Sequence, residues 1–124
     1  MMIEELIKAA KEENWDLVDS EILEVANDPR FIDWAKEKGL SDDDENVRDL
    51  AVSLLEKTND LDEPTMRILY SLMFKDSNTY VRFRSAFALK KHGYEKHPQE
   101  VIAVLRQAAQ DIDTKNIAEG YLKQ

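Results

Sequence analysis

Val47-Arg48-Asp49-Leu50-Ala51-Val52-Ser53-Leu54-Leu55 returns 34 residues later as Val81-Arg82-Phe83-Arg84-Ser85-Ala86-Phe87-Ala88-Leu89. Both stretches open on Val-Arg, carry a small residue at the fifth place (Ala51, Ser85) and close on Leu55 or Leu89. Apolar side chains recur at spacings of three and four, the stripe of an amphipathic helix and not the alternation of a strand. The first place points inward at the helix start, and the small fifth place lets a neighbouring helix approach closely. Three residues upstream stand Asp44 and Asn78, whose side-chain oxygens suit a helix N-cap because they accept from an unpaired N–H of the first turn. A worn third copy lies 33 residues further on, as Thr114-Lys115, Ala118 and Tyr121-Leu122, with Asp111 in the capping place.

Each full copy is followed by a short linker, a proline (Pro64, Pro98) and a second apolar helix. One such helix pair cannot bury its own apolar stripe, so pairs must stack. Working outward, the same periodicity predicts helices over 3–11, 15–26, 29–39, 47–57, 64–75, 79–92, 98–110 and 114–122. Gly39 and Gly93 are placed as C-caps, and Pro29, Pro64 and Pro98 open helices, where a missing N–H costs nothing. Residues 64–75 are apolar on nearly all sides and are expected to be mostly core. The expected fold class is all-α: one domain over 1–124, a short α-solenoid of about eight helices. Within it 1–41 is a divergent N-terminal cap or repeat, 42–75 and 76–110 are full repeats, and 111–124 is a partial one. A non-repeating helical bundle is the alternative.

The pattern Asp-x-x-Val-Arg, then small residues, then Ala-Leu, Gly and a Pro-led second helix resembles HEAT repeats, in particular the short phycobilisome-lyase-type HEAT-like repeats. Residues 76–110 carry it best, through Val81, Arg82, Ala86, Ala88, Leu89 and Gly93; residues 42–75 carry it through Val47, Arg48 and Ala51. The resemblance implies a structural role for Arg48 and Arg82, each bonding an Asp in or beside a neighbouring repeat. It also implies that the second helices line a concave, partner-binding surface. The tetratricopeptide period is also 34, but its Trp…Leu-Gly…Tyr spacing is missing, and ankyrin repeats need more glycine than the three present here.

The chain contains no Cys, which removes disulfides, Cys-ligated zinc and thiol chemistry. No apolar run approaches the roughly 20 residues of a membrane span. The sequence begins without the basic and apolar regions of a signal peptide, and the expected location is cytoplasmic. The net charge of −9 is unevenly spread: residues 1–62 hold 19 acids and 7 bases, while 63–124 hold 7 acids and 10 bases. Such polarity bears on partner choice and on head-to-tail or capping self-association, not on fold.

His92 and His97 flank Gly93 with only Glu95 and Glu100 nearby, and are read as solvated or capping residues with no metal or cofactor. Asp42-Asp43-Asp44-Glu45 lacks the spacing and glycine of a calcium loop and reads as a solvated capping run. No nucleophile elbow, Ser/His/Asp order or phosphate loop is present, so a non-enzymatic role is expected. The leading expectation is a protein-binding adaptor or scaffold whose surface includes Arg67, Tyr70 and Arg106. Lys75–His97 is different in character: Arg82, Arg84, Lys90, Lys91 and Lys96 are interleaved with Phe83, Phe87 and Tyr94. That mixture suits nucleic acid or a phosphate ligand, although Phe83 and Phe87 are also placed to pack against the preceding helix pair. A third expectation, taken from the family resemblance, is a non-catalytic subunit of a lyase-like complex.

Overall fold

Short polar side chains start most of the helices. Asn14 accepts from the Leu17 N–H, Asp28 from Arg30, Asp44 from Asn46, Asp62 from Thr65, and Asn78 from both Tyr80 and Val81. Each satisfies a donor that the helix itself leaves unpaired. The computed structural model, which describes residues 1–124, is all-helical with no strand. Its helices are α1 (Ile3–Lys11), α2 (Trp15–Val25), α3 (Pro29–Glu37), α4 (Glu45–Lys57), α5 (Glu63–Lys75), α6 (Thr79–Lys91), α7 (Pro98–Ala108) and α8 (Lys115–Leu122). None is long and apolar enough to cross a membrane.

The chain forms two compact units, Met1–Asp60 and Leu61–Gln124. The division falls inside the stretch read as one repeat, 42–75, and leaves α4 in the first unit and α5 in the second. In the first unit α4 packs against α1, α2 and α3. Leu50 and Leu54 of α4 join Leu6, Ala10, Val18, Ile22 and Phe31 in one buried cluster, with Trp15 and Trp34 at its edge. In the second unit α6 holds the same central place, packed against α5, α7 and α8. Val81, Phe83, Ala86, Phe87, Ala88 and Leu89 of that helix are all buried.

The two central helices begin alike. Asp42 accepts from the Asp44 N–H at 2.8 Å, and Asp76 from the Asn78 N–H at 2.9 Å. Arg48 donates to the Asp42 carbonyl at 2.8 Å and the Asp43 carbonyl at 3.0 Å; Arg82 donates to the Asp76 carbonyl at 2.9 Å. Both arginines therefore bond the backbone of an Asp six residues upstream. Val47, Ala51 and Leu55, and in α6 Val81, Ser85 and Leu89, are fully buried. Ser85 satisfies its hydroxyl by donating to the Val81 carbonyl at 2.7 Å, one turn back.

Two sequence expectations need correction here. Asp111 does not cap α8. Its carboxylate accepts from the Asp113 N–H at 2.9 Å, the bond that Asp42 and Asp76 make, so it corresponds to them and not to Asp44 and Asn78. The N-cap residue of α8 is Thr114, and its buried hydroxyl donates backwards to the Ala108 carbonyl at 2.8 Å. Gly39 is no C-cap either: α3 ends at Glu37, and Gly39 opens a 3-10 turn. Glycine is needed there for space, because a Cβ would lie 2.7 Å from the Ala51 Cβ and 3.0 Å from the Trp34 ring. Gly93 is the left-handed stop that was expected, with φ of 70°. Its N–H donates to the Lys90 carbonyl and that of Tyr94 to the Leu89 carbonyl, which closes the last turn of α6.

Candidate functional site

Fixed by Gly93, the chain turns sharply after α6 and carries Tyr94 and His97 onto α5. The His97 ring stacks on Tyr70 with centroids 4.4 Å apart and planes 20° from parallel. Tyr94 lies 5.8 Å from Tyr70, and Phe74, one turn further along α5, meets Tyr70 edge-on at 5.0 Å. Such offset and edge-on pairs are the favoured aromatic geometries. His97 is the N-cap residue of α7, yet its side chain makes no capping bond; the ring packs instead. The Tyr70 hydroxyl is pushed above its ordinary pKa, first by burial and then by the nearby Glu100 and Tyr94. Lys90, Tyr94, Glu95, Pro98 and Val101 line a shallow cleft of about 150 Å³ at the same turn.

α5 is less buried than its composition suggested. Only Thr65, Leu69 and Met73 are buried, while Ile68 is 44% and Phe74 50% exposed. Within its unit α5 packs against α6, which covers one face of a helix whose apolar residues run all round it. Arg67 and Arg106 are exposed, as expected, and Tyr70 is half-buried. Comparison with protein-family models, curated proteins and solved structures finds no match.

The bases of Lys75–His97 are not gathered on one surface. Arg82 and Arg84 are two positions apart on α6, which sets them about 200° apart around the helix. Arg82 is engaged with the Asp76 carbonyl and the Thr79 hydroxyl. Lys96 forms an ion pair with Glu63. Lys90 reaches the Gln124 carbonyl at 3.5 Å, and Lys91 is exposed. Phe83 and Phe87 lie in the core, where neither can stack on a base. Phe87 stacks on Tyr121 of the following α8, at 5.5 Å, because α8 folds back onto α6.

Elsewhere in the second unit the Tyr80 hydroxyl sits between two carboxylates. It donates to Asp113 at 3.1 Å, with Asp111 at 3.3 Å. The Asp113 bond first, then partial burial and the Asp111 charge, raise its pKa. This contact ties the turn before α8 to the start of α6. In the first unit the acidic run 42–45 caps α4 through Asp44, and no group of three His, Asp or Glu side chains is placed to hold a metal ion. Sequence reasoning missed the aromatic cluster. The signal was there: Tyr94 and His97 follow a helix-stopping glycine, and Tyr70 and Phe74 stand four apart, but nothing local says that the turn brings the two pairs together.

Proposed function

We propose that the chain is a protein-binding adaptor that offers a partner the outward faces of α5 and α7, the second helices of HEAT-like pairs in a short α-solenoid. The observation that carries this reading is the uncovered apolar side of α5. Ile68 and Phe74 stand half exposed, and Phe74 meets the Tyr70 ring of the Tyr70–Tyr94–His97 cluster. Fully burying one such side chain contributes about 1.5–3 kcal/mol, so two half-covered ones leave roughly the same amount for a partner to gain. Arg67, Tyr70 and Arg106 are residue types enriched at interface centres. The 34-residue offset and the matching starts of α4 and α6 support the helix-pair part of the reading.

A photo-reactive residue at position 74, with one at exposed Leu23 of α2 as control, tests this in an extract of the host. A discrete adduct is expected from position 74 alone, lost on Ile68→Ser. Equal labelling from both positions, unchanged by that substitution, would count decisively against the proposal.

A further inference from the structure

Arg67, Ile68, Ser71, Phe74 and Lys75 fall within about 120° of the α5 circumference at 100° per residue, and all five are exposed. Two are apolar and two are cationic. The acid nearest to them in sequence on the N-terminal side, Glu63, is already ion-paired with Lys96, whose hydrogen bond is the first cause of its lowered pKa; Arg67 contributes least. On the C-terminal side Asp76 is buried, its carboxylate accepting from Asn78. The outward face of α5 is therefore a small patch of positive charge and apolar surface, in the half of the chain that holds 10 bases against 7 acids.

We infer that this face docks an acidic peptide segment carrying a large apolar anchor side chain. The inference rests on the protein-binding reading above and adds the partner's chemistry. The anchor lies between Ile68 and Phe74, and carboxylates on either side of it meet Arg67 and Lys75. A neutral or basic partner would bury these two cations without compensation, which is costly. A nucleic acid fits less well. Two cations eight residues apart on a helix, about 12 Å along its axis, neutralise too few phosphates for strong binding. The apolar side chains of the face also find little to bury against phosphate.

The test is selection of short random peptides displayed on phage against the full-length protein, followed by anisotropy titration of the enriched sequences. Enriched peptides should combine Asp or Glu with at least one Leu, Ile, Phe or Trp. Their affinity should fall about tenfold, or 1.4 kcal/mol, with Arg67→Glu/Lys75→Glu and by a similar factor with Phe74→Ala. It should not change with Leu23→Ser, and it should weaken as salt is raised. Circular dichroism melts of each variant verify that the fold is kept. Enriched peptides that are neutral or basic, and sensitive to Phe74→Ala alone, would keep the docking face and overturn the acidic partner. Peptides that ignore every α5 variant, or no enrichment at all, would overturn both. An oligonucleotide that binds, lost on Arg67→Glu/Lys75→Glu, in place of any peptide would assign the face to nucleic acid instead.

Discussion

The two units build their central helices on one motif and then leave those helices in different ways. Both α4 and α6 start from an Asp that receives an N–H two residues on, and both use an Arg that returns to the carbonyl of that Asp. At the other end α4 passes into extended chain at Thr58. There the side-chain amide oxygen of Asn27 takes both the Thr58 hydroxyl, at 3.0 Å, and the Asn59 N–H, at 2.8 Å. α6 instead stops at left-handed Gly93 and doubles back. Only the second exit throws aromatic side chains onto a neighbouring helix. The Val-Arg motif fixes how a central helix begins; the residue after its last turn decides whether a surface cluster forms beside it.

The largest effects should come from equivalent core positions. Leu55 and Leu89 occupy the ninth place of the motif and are fully buried. Leu55→Ala and Leu89→Ala should each lower the unfolding free energy by about 2–5 kcal/mol in urea titration. A loss below about 1 kcal/mol, far under that range, at either position would break the equivalence of α4 and α6. Gly39→Ala comes next. It has no counterpart in the second unit, and overpacking against Ala51 and Trp34 should cost about 1–3 kcal/mol. The pair Gly39→Ala/Ala51→Gly should recover part of that loss in a double-mutant cycle, since it removes the Cβ in closest contact. Simple additivity would mean the strain lies elsewhere.

Much of the helical layout was legible because it depends on local chemistry. Asp44 and Asn78 cap as expected where a short polar side chain precedes an apolar stripe, and all eight helices start and stop within two residues of the expected bounds, helped by the prolines and Gly93 that punctuate the chain. The misreadings have tertiary causes. Gly39 looked like a helix stop, but its reason is the nearness of Ala51, twelve residues away. The α5 helix looked like core because its apolar residues run all round it; how many neighbours cover a helix is not written in its own sequence. His97, read as solvated or capping, is exposed but makes no capping bond, and its ring stacks on Tyr70. Arg67 and Arg106 were placed correctly as exposed, since cations on an apolar helix have few other places to go.

A smaller effect separates the motif's arginine from its hydrophobic positions. Arg48 makes two carbonyl bonds, and Arg82 makes one together with a bond to the Thr79 hydroxyl at 3.2 Å. Hydrogen bonds from a charged donor are worth about 1.5–3 kcal/mol when well formed, and partial exposure reduces this. Arg48→Met and Arg82→Met should therefore each cost about 1–2 kcal/mol in urea titration, less than the leucines. Methionine keeps the packing of the stem, so the loss reports the bonds. A neutral result at both positions would mean that these arginines do not hold the helix starts in place.

The finest test sets one helix stop in each unit against the other. α1 ends as α6 does: the Glu13 N–H donates to the Ala10 carbonyl and the Asn14 N–H to the Ala9 carbonyl. The residue in the left-handed position is Glu13, with φ of 57°, where α6 has Gly93. A side chain in that conformation costs about 1–2 kcal/mol relative to glycine. Glu13→Gly should therefore stabilise the protein by about 1 kcal/mol, and Gly93→Ala should destabilise it by a similar amount. A Cβ at Gly93 meets nothing within 4 Å, so only the backbone is penalised. Glu13→Ala keeps the strain and removes the carboxylate, which separates conformation from charge; it should leave the melting temperature nearly unchanged. Gly93→Ala has a second readout that Glu13→Gly lacks. If the turn is what places Tyr94 and His97 on Tyr70, the ring-current shifts of the Tyr70 and His97 protons should shrink in that variant. Unchanged shifts would mean that the aromatic cluster holds itself together and draws the turn into place.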